Sequence, residues 1–152
     1  MEPVVKLLVV DDDTFVRMLF AFDLPDTELI EARNLREAAE LLAEEHPDAM
    51  VVDRRLPDGD GLHLVRAVRG DGDEGQLPVV VLTAAHDPVE EPDVLRAGAD
   101  LYMAKPFDPQ ALMDQIRRVL AMPPEQRQAK RDATASRLER GVAPAPAARD
   151  DR

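Results

Sequence analysis

Acidic, hydroxyl and ammonium side chains follow four short apolar runs of this sequence. The runs end in an aspartate triplet at residues 11–13, in Asp53, in Thr83 and in Lys105. Carboxylate oxygens are ligands that Mg²⁺ prefers, usually one or two of them together with waters and a phosphate oxygen. A phosphoryl group in transfer requires in-line approach and positive charge around its equatorial oxygens. If the four ends meet, they could carry out metal-dependent phosphoryl transfer, with Asp53 as nucleophile or metal ligand.

The aspartate triplet places like charges next to one another. Carboxylates within a few ångströms repel, at roughly 4 kcal/mol for each close pair if the effective dielectric constant is near 20. Such a cluster is either exposed to water as a loop or collected around a positive group. Asp13 and Thr14 are predicted to begin the first helix, where negative charge and a capping oxygen suit the exposed N–H groups. Asp13, like Asp58, is interpreted as a solvated carboxylate and not as a metal ligand.

Five short apolar runs predict the strands that position these residues. The runs at residues 4–10, 49–53 and 77–83 are β-branched and hardly interrupted, which is typical of strands buried on both faces. Residues 27–32 and 99–104 are weaker candidates of similar length.

Amphipathic segments between the runs predict five helices. Each has an apolar stripe, namely Phe15, Met18, Leu19 and Phe22; Leu35, Ala38, Ala39 and Leu42; Leu62, Val65 and Val68; Val94 and Leu95; and Leu112, Met113, Ile116, Val119 and Leu120. Alternating strands and helices predict a doubly wound α/β fold, with a five-stranded parallel sheet and helices on both faces. In such sheets the working site lies beyond the carboxyl ends of the strands, where the polar side chains stand.

Composition and charge exclude several classes of protein. The chain has no cysteine, which rules out disulfides, a cysteine-based zinc site and a thiol nucleophile. Residues 1–121 hold 26 acidic and 12 basic residues, a net charge of −14, which argues against a nucleic-acid partner. No stretch approaches the ~20 apolar residues of a membrane span, and the first residues lack the features of a signal peptide. We expect a cytoplasmic protein without direct nucleic-acid or membrane contacts.

The pattern weakens after the last predicted helix. Consecutive prolines at 123 and 124 close that helix, so the domain is predicted to span residues 1–121. Residues 122–152 hold 5 acidic and 7 basic residues, a net charge of +2, and are predicted to be a linker or tail that is partly helical or disordered. The chain is expected either to stand alone or to be a domain of a longer chain, and the first interpretation is preferred.

Four motifs in the expected order resemble the receiver domain of two-component response regulators. They are "VVDDD" at the first strand end, "VVDRRLPDGDGL" around Asp53, "VVVLTA" at Thr83 and "LYMAKPF" at Lys105, and the resemblance covers about residues 4–121. It implies a flavodoxin-like sheet in the strand order 2-1-3-4-5. It also implies phosphorylation of Asp53, dependent on Mg²⁺ or Mn²⁺, by a sensor histidine kinase, a histidine phosphotransfer protein or a small phosphodonor.

The resemblance assigns metal ligands. Asp12 matches the direct carboxylate ligand, and Asp11 the acidic residue that acts mostly through water. Asp53 matches the residue that is both ligand and phosphoacceptor, and the backbone carbonyl of Arg55 matches the remaining protein ligand.

The resemblance also assigns a switch. Thr83 matches the switching hydroxyl, Lys105 the lysine that contacts the phosphoryl group, and Tyr102 the aromatic residue that moves inward on activation. Pro106 follows the lysine, where relatives usually have a cis peptide bond. The face formed by the fourth helix, fifth strand and fifth helix would then bind a downstream protein or a second copy of the chain. Such a domain receives and slowly loses its own phosphoryl group and is not a turnover enzyme.

The sequence departs from the family at the residues after Asp53. Two arginines follow it, and the side chain two positions on, Arg55, can lie over the phosphoryl group. Our hypothesis is that Arg55 screens attacking water and so slows hydrolysis of the phosphoaspartate. The interval from Arg17 to Glu31 is also about one helical turn shorter than in typical relatives.

Two rival functions remain. A haloacid dehalogenase-type phosphohydrolase also places Asp-x-Asp after its first strand, as Asp11 and Asp13 do, but Phe15 stands where a threonine or valine usually follows. No apolar strand ending in a second acidic pair follows Lys105. The other rival is a receiver-like scaffold that is never phosphorylated.

Other polar and small residues are given ordinary roles. His46, His63 and His86 are predicted to be surface histidines, and Gly59 and Gly61 to be turn residues rather than a phosphate cradle.

Overall fold

A computed structural model describes residues 4–70 and 76–141 of the chain. Its elements follow in the order β1 Lys6–Val10, α1 Thr14–Asp23, β2 Glu28–Ala32, α2 Leu35–Glu45, β3 Ala49–Asp53, β4 Arg55–Leu56, β5 Gly59–Asp60, α3 Gly61–Arg69, β6 Val79–Thr83, α4 Glu91–Ala97, β7 Leu101–Ala104, α5 Pro109–Leu120 and α6 Pro124–Glu139. Within the described ranges, every helix is too short or too polar to cross a bilayer.

The main sheet has five parallel strands in the order β2-β1-β3-β6-β7. Counted along the sheet's own strands, this is the predicted order 2-1-3-4-5, and the prediction of a doubly wound α/β fold is confirmed. The register pairs Val10 with Val52 and Thr83 with Ala104, so the carboxyl ends of neighbouring strands lie side by side. Strands β4 and β5 form a separate antiparallel hairpin.

The core has two layers because the central strands are buried on both faces. Alternating residues of β1 face opposite layers, with Leu8 and Val10 on one side and Leu7 and Val9 on the other. Helices α2, α3 and α4 cover the first layer, and α1 and α5 cover the second. This arrangement explains the uninterrupted apolar runs of β1, β3 and β6.

The apolar face predicted for α1 is wrong. Val16 and Phe20 are the buried residues of this helix, and Phe20 packs against Phe107 with ring centroids 5.3 Å apart. The predicted stripe faces outward, with Phe15 68% exposed and Phe22 85% exposed. Both faces of α1 are apolar, and only the position of the sheet decides which one is buried. The outward face is an exposed apolar patch formed by Phe15, Met18, Leu19, Ala21 and Phe22.

Polar side chains cap the first turns of α1 and α2. Asp13 accepts a hydrogen bond from Phe15 N (2.9 Å) and caps α1 as predicted. Asn34 caps α2 by accepting from Glu37 N (2.8 Å). Asp58 is exposed, as predicted, yet it accepts hydrogen bonds from the first two N–H groups of α2, and these bonds lower its pKa below the ordinary value.

Helix α6 packs against α4 and is held by arginines rather than by an apolar stripe. Ala135 is its fully buried apolar residue. On α4, Arg96 pairs with Glu139 at 2.7 Å and donates to Ser136 Oγ at 3.0 Å. Arg127 donates to the backbone carbonyls of Met122 and Gln76. The predicted tail thus contains an ordered helix, while residues 142–152, predicted to be disordered, lie outside the described residues.

The carboxylate of Asp100 anchors α6 to the sheet. One oxygen accepts from Arg131 of α6 at 2.7 Å, and the other accepts from Arg69 and from Val79 N, both at 2.9 Å. The side chains of Arg69, Asp100 and Arg131 are 15%, 4% and 13% exposed. The pKa of Arg69 is lowered to about 10, mainly by burial and also by the positive charges of Arg131 and Arg127, while Asp100 opposes the shift.

We expect Asp100→Ala to lower the free energy of unfolding by about 3 kcal/mol, because it leaves two half-buried guanidinium groups without their shared carboxylate. Urea denaturation measures this change. Asp114→Ala removes an exposed carboxylate of α5 and should change stability by at most about 0.5 kcal/mol. Equal losses in the two variants would show that Asp100 does not anchor α6.

Candidate functional site

Three carboxylates converge at the carboxyl edge of the sheet. Asp11 and Asp12 follow β1 directly, Asp53 is the last residue of β3, and β1 and β3 are neighbours. One carboxylate oxygen from each residue lies within 4.8 Å of the others. Asp11 and Asp53 are buried, whereas Asp12 is exposed. A set of close oxygen ligands with one side open to water fits a hard dication such as Mg²⁺.

Lys105 lies between the two buried carboxylates. Its Nζ is 2.9 Å from Asp11 Oδ2 and 3.0 Å from Asp53 Oδ2. Burial raises the pKa of Asp11 above its ordinary value, while the N–H of Asp13 and the ammonium of Lys105 oppose this shift. Burial would lower the pKa of Lys105, but its contacts with Asp11 and Asp53 outweigh burial and raise it. The lysine is therefore held in its charged form.

Backbone groups orient the acidic side chains. Asp11 Oδ1 accepts from Asp13 N (2.9 Å), and Asp53 Oδ1 accepts from Arg55 N (3.2 Å). Asp11 Oδ2 is fully buried and makes no well-directed hydrogen bond, although it lies in the ion pair with Lys105. A buried anionic oxygen with only one cation beside it is a further sign that this cluster suits added positive charge.

The start of α3 presses against the backbone of Asp53. Gly61, predicted as a turn residue, is the first residue of α3, and its N–H donates to Arg54 O at 2.7 Å. A Cβ atom at this position would overlap the carbonyl oxygen of Asp53. Only glycine allows α3 to approach so closely, and this approach fixes the backbone that carries Asp53.

Thr83 and Lys105 lie at the carboxyl ends of the adjacent strands β6 and β7. Thr83 is the last residue of β6, and its carbonyl accepts from Lys105 N at 2.8 Å. Its hydroxyl donates to Ala85 O at 3.1 Å within the β6–α4 loop. The Lys105–Pro106 peptide bond is cis.

Tyr102 is buried, with 9% of its surface exposed. Its ring lies 5.0 Å from that of His86, its hydroxyl donates to Glu90 Oε2, and the hydroxyl oxygen accepts from Asp87 N at 3.2 Å. Burial and the hydrogen bond to Glu90 raise the pKa of Tyr102 above its ordinary value.

The ion pairs of two residues near the site, Arg54 and His86, were not predicted from the sequence. Arg54 forms a forked pair with Asp60, with distances of 2.8 and 3.1 Å, and also donates to Glu90. The two partners lie 6 and 36 residues away along the chain, and no local pattern marks the second of them. His86 is exposed, as predicted, but its Nε2 lies 2.8 Å from Glu91 Oε1, a pairing that the sequence does not indicate.

Residues 7–117 match the sequence profile of the response regulator receiver domain. The chain belongs to this family. It is 42% identical over 120 residues to the response regulator MprA of Mycolicibacterium vanbaalenii, which covers 76% of this chain and 50% of that protein. The chain thus spans about half the length of the curated relatives it matches.

Solved receiver structures share the fold. The chemotaxis response regulator CheY4 of Vibrio cholerae is 28% identical, with a TM-score of 0.71 over 77% of this chain and 99% of that one. The BeF3-activated N-terminal receiver domain of RstA from Klebsiella pneumoniae is 32% identical, with a TM-score of 0.70 over the same shares. Neither likeness extends over the whole of this chain.

We expect Asp12→Asn to weaken Mg²⁺ binding at least about tenfold, because a carboxylate that we propose as a ligand becomes a neutral amide. Isothermal titration of the protein with MgCl₂ measures the affinity. The matched control is Asp13→Asn, which removes the same charge one residue further on and keeps a good helix cap. Equal weakening in both variants would show that only the total charge of the triplet matters.

Proposed function

We propose that this chain is a phosphoacceptor of two-component signalling, in which Asp53 receives a phosphoryl group from a phosphohistidine. The donor is a sensor histidine kinase or a histidine phosphotransfer protein, and we place the exchange in the cytoplasm. The observation that carries the proposal is the buried carboxylate of Asp53, which lies 3.0 Å from an ammonium and next to two further carboxylates. Membership of the receiver family supports the same function.

The residues around Asp53 suit each part of the transfer. A carboxylate oxygen of Asp53 forms a bond to phosphorus while the phosphorus–nitrogen bond of the donor breaks, and the electron pair returns to the imidazole. The phosphoryl group carries about −1.5 to −2 charges, while the carboxylate of Asp53 loses its own charge, so the acidic pocket becomes more negative by about one charge. Lys105 supplies a charged contact for the new oxygens, and Thr83 supplies a hydroxyl that can turn from Ala85 O toward them.

Asp11, Asp12, Asp53 and the carbonyl of Arg55 would hold the metal ion. When bound, Mg²⁺ or Mn²⁺ neutralises charge on the carboxylates and the phosphoryl oxygens. The close carboxylate oxygens support this assignment.

The output face is proposed to be the surface of α4, β7 and α5. Thr83 and Tyr102 connect this surface to Asp53, and a downstream protein is its proposed partner, with no direct role for nucleic acid or a membrane. Helix α6 lies along part of this face, where Lys130, Arg131 and Thr134 line a cavity together with Tyr102 and Leu95. A homodimer through α4, β7 and α5 would therefore form either around α6 or after α6 has moved.

We retain the division into a receiver domain, residues 1–121, and a tail.

Phosphorylation of Asp53 tests the proposed function directly. Incubation with acetyl phosphate and Mg²⁺ should add one phosphoryl mass to the intact protein, because Lys105 and the metal neutralise the added charge. The gain should be lost in Asp53→Asn, which keeps the shape of the side chain but removes the nucleophile, and kept in Asp13→Asn. No gain in the wild type would favour the unphosphorylated scaffold. Repeated turnover of a generic phosphoester would favour the haloacid dehalogenase-type hydrolase.

Arg55→Ala should shorten the lifetime of the phosphorylated protein by about tenfold, equivalent to 1.4 kcal/mol of activation free energy. Arg55 is exposed, its N–H bonds Asp53 Oδ1, and its side chain can cover the phosphoryl group from attacking water. Loss of the phosphoryl mass over time gives the rate. Arg66→Ala, at an exposed position of α3, is the matched control. An unchanged lifetime in Arg55→Ala would mean that its side chain does not shield the site.

A further inference from the structure

Arg54 connects the residue after the phosphoacceptor to the start of α4. Its backbone is held on both sides, because its N–H donates to Leu82 O at 2.8 Å and its carbonyl accepts from Gly61 N at 2.7 Å. Its side chain is 19% exposed and extends away from the backbone to two carboxylates, those of Asp60 and Glu90. Hydrogen bonds with Asp60 raise the pKa of Arg54 above its ordinary value, against the effect of burial.

Glu90 uses its side chain for this contact instead of capping its helix. It occupies the N-cap position of α4, where a side-chain oxygen commonly accepts from the first turn, but it makes no such bond. One oxygen of Glu90 accepts from Arg54 and the other accepts from the hydroxyl of Tyr102. The carboxylate therefore joins the strand end that carries Asp53 to the buried aromatic residue of β7.

We propose that Arg54 is a positioning residue that keeps Tyr102 buried beneath the β6–α4 loop, acting through the carboxylate of Glu90. This inference rests on the proposed function only in treating Tyr102 as the switch residue. The contacts of Glu90 with Arg54 and with Tyr102 do not involve the side chain of Asp53.

Removal of the Arg54 side chain would affect Tyr102 through Glu90. Without the guanidinium, Glu90 would keep a carboxylate that is 22% exposed beside a tyrosine hydroxyl, with no cation to balance its charge. Such a carboxylate gains by turning to water. Tyr102 would then lose Glu90 as its acceptor, while its hydroxyl oxygen would still accept from Asp87 N.

The composition of the chain makes the position of this tyrosine measurable. Tyr102 is the only tyrosine and the chain has no tryptophan, so intrinsic tyrosine fluorescence reports on this residue alone. Collisional quenching by acrylamide follows its exposure to solvent.

The first experiment compares quenching in the unphosphorylated, metal-free protein. Arg54→Met should shift the balance between buried and exposed Tyr102 about tenfold toward exposed, because a charge-assisted contact is lost. Glu90→Gln should act in the same direction without disturbing Asp60. Arg33→Met is the matched control, since Arg33 forms a similar pair with Glu37, 2.9 Å away, at an exposed position. Unchanged quenching in both Arg54→Met and Glu90→Gln would overturn the proposal.

A double-mutant cycle tests the route. If Arg54 acts through Glu90, tyrosine fluorescence in the double variant of Arg54→Met and Glu90→Gln should be quenched as in the more affected single variant. Strictly additive effects would refute that route. Asp60→Asn breaks the other pair of Arg54, and an effect as large as that of Arg54→Met would place the route through Asp60 instead. Urea unfolding of each variant confirms the native fold, and Glu90→Gln carries the test if Arg54→Met does not fold.

Phosphorylation provides the readout that a purely structural role would not change. Acetyl phosphate and Mg²⁺ should alter quenching little in the wild type, and should restore burial of Tyr102 in Arg54→Met. A large change in the wild type with none in the variant would overturn the proposal. If no phosphoryl group is added to Asp53, the proposed function fails, while the metal-free comparison still decides the role of Arg54.

Discussion

The ammonium of Lys105 lies between two buried carboxylates, and the acidic edge of the sheet depends on this cation. Two carboxylates about 4 Å apart repel by roughly 4 kcal/mol at an effective dielectric constant of 20, and a cation in contact with both offsets that repulsion. Lys105 follows β7, whereas Asp53 ends β3, so their side chains together bridge two strand spacings, roughly 10 Å. A long, flexible and charged side chain is needed there, and lysine has the required reach.

The strands and the site edge could be predicted because one physical cause produces both signals. A central parallel strand is buried on both faces, so its sequence is an apolar run that stops where the chain reaches water. The residues at those stops, Asp11, Asp53, Thr83 and Lys105, are therefore marked by the same pattern that marks the strands. Strand β3 begins and ends where its apolar run does, and Asp53 is its last residue.

Contacts between distant polar residues could not be predicted in this way. Helix α6 has no wide apolar stripe because Arg127 and Arg131 hold it to carbonyl groups and to Asp100, and periodicity does not record such bonds. The pair of Arg54 and Glu90 joins residues 36 positions apart. The prediction of the buried face of α1 was wrong for another reason, since periodicity measures how apolar a face is and not which face meets the sheet.

Strand β7 connects helix α6, the buried Tyr102 and the acidic edge of the sheet. Asp100 precedes the strand and anchors α6, Tyr102 lies within it, and Lys105 follows it at the acidic edge. Its register with β6 is fixed from Leu101 to Ala104, and slipping by one residue would turn every side chain to the opposite face. The buried ring of Tyr102 lies between Glu90 at the start of α4 and the cavity that α6 lines, so side-chain contacts join these two regions.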